Sequence, residues 1–163
     1  MPVALYRIDD RLIHGQVVVG WGQPLNLGFI VLVDDVVAES EWEQELYRLG
    51  VPPGMDVYFA STHEAAAGMG KYTGDRRTGM ILTGTIDTML ELARTSAVRI
   101  AAVNVGGIHH REDRTQRLRY VFLNASEEGS LRALAALGVA VTAQDVPSAT
   151  SHPLSDMLKE CAT

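Results

Sequence analysis

Phe29-Ile30-Val31-Leu32-Val33, followed at once by Asp34-Asp35, is the stretch that decides the fold. Five apolar residues in a row, three of them β-branched, bounded by two aspartates, read as a strand buried on both faces. Two-faced burial belongs to parallel sheets covered by helices, not to antiparallel sheets with one wet side. The run is far too short to span a membrane.

Working outward, the pattern repeats. Toward the N-terminus, a helix is expected from about Gly15, carrying Val17, Val18 and Trp21, preceded by a strand from Val3 to Ile8 that ends at Asp9-Asp10-Arg11. Toward the C-terminus, Glu39 to Leu49 is expected to be helical, stopped by Gly50 and Pro52-Pro53. Asp56 to Ala60 reads as a third strand, and Ser61-Thr62-His63-Glu64 as a capping box opening an Ala-rich helix. Met80 to Thr83 is a fourth strand, followed by a helix to about Arg94. Further strands are expected at Arg99 to Asn104, Arg119 to Leu123 and Val139 to Thr142. A helix from Glu127 to Leu137 places Leu131, Leu134 and Leu137 on one side and stops at Gly138. Pro147 to Pro153 is turn-rich and leads to a short terminal helix. The expected fold class is therefore α/β, an open and mostly parallel sheet of about seven strands with helices on both faces. Neither repeats nor linkers divide the 163 residues, so residues 1–163 are read as a single domain.

Composition narrows the function. A net charge of −6 lacks the basic footprint of a nucleic-acid binder. The only lysines are Lys71 and Lys159, which leaves few candidates for Schiff-base or P-loop chemistry. The lone cysteine, Cys161, permits no disulfide within the chain and lies too near its end to suit a catalytic thiol. The N-terminal MPVALYRIDD lacks the pattern of a signal peptide, so a cytoplasmic protein is expected, peripheral to the membrane only through partners.

Ligands of parallel sheets bind beyond the carboxyl ends of the strands, at a topological switch point. The densest polar segment lies at such a place, Arg7-Ile8-Asp9-Asp10-Arg11-Leu12-Ile13-His14-Gly15-Gln16. A neutral imidazole is a nucleophile, and its ordinary pKa of about 6.5 leaves most of it neutral near pH 7. Arg11 and the positive end of a helix favour that form further. The segment is read as a phosphorylatable site. His14, Arg11 and Asp10 are the candidate catalytic residues, with Asp9 or Asp10 orienting Arg11 or His14. Arg11, Gly15 and Gln16 are the candidate phosphate-binding residues, the arginine through its planar fork and the glycine by letting the backbone approach. Helix-end stabilisation of about 0.3–1 kcal/mol and charged hydrogen bonds of about 1.5–3 kcal/mol position a phosphoryl group without trapping it. The same spacing also fits a structural histidine beside an Asp10–Arg11 ion pair, and spacing alone does not choose.

RIDDRLIHGQV, then Trp21, then IVLVDDVVA resembles the B component (IIB) of the mannose/fructose/sorbose family of bacterial sugar phosphotransferase systems. Pro52-Pro53-Gly54, Asn104-Val105-Gly106-Gly107, Gly138-Val139 and Val146-Pro147-Ser148 follow in the family's order, so the resemblance covers nearly the whole chain. It implies that His14 takes phosphate on Nδ1 from the histidine of a phosphorylated A component (IIA). The chain then passes it to a sugar during uptake through membrane C and D components (IIC and IID). It implies a role for Arg11 in stabilising the transferring group, and adjacent first and fourth strands at the switch point. A homo-oligomer without metal or organic cofactor is expected. The alternative the resemblance leaves open is a regulatory phosphoprotein of an incomplete system. One departure stands out: Gly84-Thr85 occupies the place where relatives commonly have Asn-Pro, so partner or sugar preference is expected to differ there.

Other candidates are weaker. Asp34-Asp35 resembles the acidic pocket of response-regulator receivers, but the third strand ends at Ala60-Ser61 without an acceptor aspartate, so a strand-end cap is expected. His109-His110 with Glu112-Asp113 resembles a metal cluster without ligand spacing, and reads as a solvated loop bordering a partner surface. His63 and His152 read as surface residues, and Trp21 as core or interface. Gly20-Trp21-Gly22 lacks the third glycine of a dinucleotide motif.

Overall fold

A computed structural model describes residues 3–158, the side chain of Gln16 excepted. Lys159 and Cys161 lie outside the described residues. The strands in chain order are β1 (Val3–Ile8), β2 (Phe29–Val33), β3 (Asp56–Ala60), β4 (Gly79–Thr83), β5 (Ala102–Val105), β6 (Thr115–Leu118), β7 (Val121–Leu123), β8 (Ala140–Ala143) and β9 (His152–Pro153). Seven of them form one sheet in the order β3-β2-β4-β1-β5-β8-β9. Every pairing in it is parallel except β8 with β9. The β6–β7 hairpin stands outside this sheet. The helices are α1 (Glu41–Leu49), α2 (Thr62–Thr73), α3 (Ile86–Thr95) and α4 (Ala125–Ala136).

The apolar run Phe29–Val33 sits between β3 and β4, with all five residues buried. Phe29, Val31 and Val33 point into the core beneath α2, α3 and α4, while Ile30 and Leu32 pack on the other face with Val17, Val18, Trp21 and Leu27. At about 1.5–3 kcal/mol for each fully buried large apolar side chain, this strand alone contributes strongly to the core. The capping box at Ser61 and Glu64 forms in both directions. Asp34 Oδ1 accepts from the amides of Val36 and Val37, and Asp35 Oδ1 from Thr62, so the acidic pair caps local structure.

Four details differ from the sequence-based expectation. The segment after Gly15 forms a six-residue π-type helix, Gln16–Trp21, in which the Gly22 amide reaches back five residues to Val17 O at 3.2 Å. Only glycine permits this close return, because a Cβ at position 22 would collide with Val18 O. The expected strand at Arg119 to Leu123 is instead part of a hairpin outside the main sheet, since the polar Thr115-Gln116-Arg117 suits an exposed strand and not a two-faced interior. The seventh strand of the sheet is β9. Finally, α4 starts earlier than expected, behind an Asn124–Glu127 capping box, and ends before Leu137, which is exposed where Gly138 turns the chain at φ +88°.

Candidate functional site

β1 occupies the switch point, bonded to β4 on one side and β5 on the other. Its exit carries the polar segment, and the first residue beyond it, Asp9, is fully buried. A buried carboxylate requires partners, and Asp9 has two cations. Arg11 donates from Nε to Oδ1 at 2.9 Å and from Nη2 to Oδ2 at 2.8 Å, a bidentate pair. Arg7, inside β1 and fully buried, donates from Nη2 to Oδ2 at 3.1 Å. Burial pushes the Asp9 carboxyl up, but the Arg11 hydrogen bonds and the charges of both arginines outweigh it and hold the carboxyl below its usual range.

Arg7 is the anchor of the network. It also donates to Asn104 Oδ1 on β5, and to the carbonyls of Gln144 and Asp145 beyond β8 at 2.9 and 3.0 Å. Its guanidinium lies 4.7 Å from the centre of the Trp21 ring, whose Nε1 donates to the same Asp145 carbonyl at 3.1 Å. The Asp145 carboxylate in turn faces Arg119 at 2.9 Å and Arg11 at 3.8 Å. The Gly106-Gly107 pair makes room for all this. A Cβ on Gly106 would collide with the Arg7 guanidinium and come within 2.6 Å of Asp9 Oδ2, and one on Gly107 would lie 2.8 Å from Arg11 Nε.

His14 stands at the edge of this network. Its side chain is 23% exposed, and its Nε2 is buried 3.8 Å from Asp9 Oδ1. Burial, then the charge of Arg11, hold the imidazole below the ordinary histidine range, against an opposing pull from Asp9. The ring is reached through Leu12, whose left-handed backbone (φ 61°) turns the chain and whose side chain meets the space beside Gly84. A leucine in that conformation carries a strain of about 1–2 kcal/mol. The departure at Gly84-Thr85 therefore touches the His14 loop directly. Thr85 also caps α3.

The structure brings His14 and Arg11 together around Asp9, one of the two aspartates expected to orient them, and not around Asp10, the candidate catalytic aspartate. Asp9 serves both residues, whereas Asp10 turns away: its Oδ2 accepts from the His109 amide at 2.8 Å, and its Oδ1 lies 2.6 Å from the His109 ring Nδ1. The two aspartates part because β1 ends at Ile8 and the chain turns there, closed by the Leu12 amide on the Asp9 carbonyl at 3.0 Å, so Asp10 serves the loop and not the imidazole. Gly15 has αR backbone, and a Cβ there would meet nothing within 4 Å, so local geometry does not demand glycine. Gln16 begins the π-type helix. Arg7, Asn104 and Trp21 are site residues that the sequence-based reading missed, although an arginine inside an otherwise buried strand was a signal in plain view.

These glycines make contrasting predictions. Gly106→Ala is expected to lower stability by about 1–3 kcal/mol through overpacking against Arg7 and Asp9. Gly15→Ala is expected to leave it equal or higher, since alanine favours helix and meets nothing. Thermal melting of both variants decides; a lower Tm for Gly15→Ala than for Gly106→Ala contradicts the packing described.

Fold and site together describe an open parallel α/β subunit whose histidine-bearing loop sits at the switch point, beside a buried aspartate held by two arginines. The chain belongs to the PTS system sorbose subfamily IIB component family, whose model matches residues 3–163. It is similar to the sorbose-specific EIIB component of Klebsiella pneumoniae, 33% identical over 162 residues, covering 99% of this chain and 98% of the relative. It is also similar to the mannose-specific EIIAB component of Escherichia coli K12, 30% identical over 162 residues, spanning 98% of this chain and 49% of that longer relative. The crystal structure of the IIBSor domain of the Klebsiella pneumoniae sorbose permease matches with a TM-score of 0.86 at 33% identity, covering 96% of each chain. Components of this family act as sugar phosphotransferases and work with IIA and IIC/IID partners. Among the described residues no helix is long and apolar enough to cross a membrane.

Proposed function

We propose that His14 is the phosphoryl acceptor, taking phosphate from a phosphorylated IIA component and passing it to a sugar of the sorbose, mannose or amino-sugar class held by IIC/IID membrane components. The observation that carries this reading is the ring's placement, partly exposed with Nε2 turned inward toward buried Asp9. A proton on Nε2 faces the carboxylate, which leaves the Nδ1 lone pair as the nucleophile. Nδ1 attacks phosphorus as the N–P bond of the donor histidine breaks and the donor imidazole leaves. The imidazolium character that develops on His14 is stabilised by Asp9, and the Arg11 guanidinium offsets the charge of the phosphoryl oxygens. The lowered pKa keeps the ring neutral and competent before transfer. Residues 1–163 act as one domain in this reading, in a homo-oligomer that meets the membrane through its partners. The relative that carries A and B components in one polypeptide supports the close working of the two.

Mass mapping after incubation with phosphorylated IIA tests it. Phosphate on His14, labile to acid and stable to base, is expected; phosphate on another residue, or none, overturns the reading. Arg11→Ala is expected to slow the transfer step roughly 10- to 100-fold, the equivalent of losing a charged hydrogen bond of about 1.5–3 kcal/mol, with little change in donor KM. Rapid-quench kinetics read this, and an unchanged rate removes Arg11 from the reaction.

A further inference from the structure

α1 is amphipathic in the wrong direction for a helix packed on a sheet. Its inward side is polar or aromatic: Gln44 donates from Nε2 to the carbonyls of Val37 and Ala38 at 3.0 and 3.1 Å, and Tyr47 packs beside Phe59 with ring centres 6.5 Å apart. No residue of the helix is fully buried. Trp42, Leu46 and Leu49, spaced i, i+4, i+7, fall within about 60° of one another on the helix wheel and opposite Gln44 and Tyr47. They are 73%, 53% and 83% exposed. Leu49 shares a groove with Val19, which is exposed on the π-type helix that His14 precedes. Val36 is also exposed, just beyond the carboxyl end of β2, at the end of the sheet where His14 lies. A contiguous stripe with a tryptophan at its head is the kind of surface that anchors a partner.

The charge around the stripe selects the partner. Glu41 and Glu45 line one side and Glu43 the other; the single basic residue of the helix, Arg48, is paired with Glu45 at 2.9 Å. A second copy of this chain would set acidic rails against acidic rails, which disfavours self-association here. A surface that is apolar at the centre and basic at the rim fits, and cytoplasmic loops of membrane proteins carry that excess of Lys and Arg. We infer that the Trp42-Leu46-Leu49 face of α1 docks a Lys/Arg-bearing cytoplasmic segment of the membrane components, placing His14 within reach of the sugar site. This rests on the carrier reading for its purpose, but the contact itself needs no phosphate.

The experiment pairs Trp42→Ser/Leu49→Ser with the charge reversal Glu41→Lys/Glu45→Lys, in the full chain. Co-sedimentation of the unphosphorylated protein with inverted vesicles containing IIC and IID, against vesicles lacking them, reads the contact. Both double variants are expected to lose binding at least 10-fold and to raise the B-component KM in sugar phosphorylation by a similar factor at unchanged maximal rate. Labelling of His14 by phosphorylated IIA, Tm and sedimentation coefficient are expected to stay as in the unmodified chain. Undiminished vesicle binding overturns the proposal. Equal loss in the IIA reaction assigns the face to the donor and overturns it as well, as does a fall in sedimentation coefficient, which assigns it to a second copy. Failure of the unmodified chain to label at His14 while vesicle binding still depends on α1 overturns the carrier reading and leaves this contact standing.

Discussion

His14→Ala is expected to accept no phosphate from phosphorylated IIA while melting within a degree or two of the unmodified chain. On the carrier reading proposed above the loss is complete, because the ring is then itself the point of bond formation and neighbouring groups do not substitute for it. Another imidazole at this end of the site, His109, is engaged with Asp10. Stability is retained because the scaffold does not run through the ring: Asp9 keeps Arg7 and Arg11, and Arg7 keeps Asn104 and two backbone carbonyls. Incorporation of label from phosphorylated IIA and a thermal melt give both halves of the result. Persistent labelling of the variant removes His14 from the reaction, and a collapse in Tm makes it a structural residue.

The second large effect belongs to Asp9→Ala. Removing the carboxylate leaves Arg7 buried in β1 with an uncompensated charge, and takes from Arg11 the carboxylate it grips with two donors. Breaking a buried pair by deleting one partner costs about 3–5 kcal/mol. Against a total stability of about 5–15 kcal/mol, that is a third or more of the margin in many domains. The urea midpoint is expected to fall accordingly, and transfer to His14 with it. Asp9→Asn, which keeps the shape and one acceptor, is expected to fall less. A midpoint unchanged in Asp9→Ala would mean that Arg7 is satisfied by its carbonyl and amide partners alone.

The architecture was legible where one local signal settled the outcome. Phe29–Val33 could only be a strand dry on both sides, and Ser61-Thr62-His63-Glu64 could only open a helix. His14 and Arg11 were legible too, because chemistry-bearing residues at a strand exit stand out. What was hidden depended on contacts far apart in the chain. Whether Asp9 or Asp10 faces the imidazole is set by the turn after β1 and by His109, 99 residues away from Asp10. The π-type helix depends on a glycine four residues beyond the carbonyl it approaches, a packing fact with no period in the sequence. The β6–β7 hairpin reads as one strand in the sequence because Val121 and Leu123 are apolar like sheet residues, whereas their register partners are half-buried Leu118 and exposed, polar Thr115. The Asn124–Glu127 cap was legible in the spacing alone, and the apolar period that starts later in the helix masked it.

Arg7 joins the first strand to Asn104 and to carbonyls 137 and 138 positions downstream. Those acceptors lie beyond β8, so the buried guanidinium meets its full set of partners only after the last parallel strand has docked. The order of the loop that bears His14 is thereby tied to the docking of strands from opposite ends of the described residues, through one guanidinium.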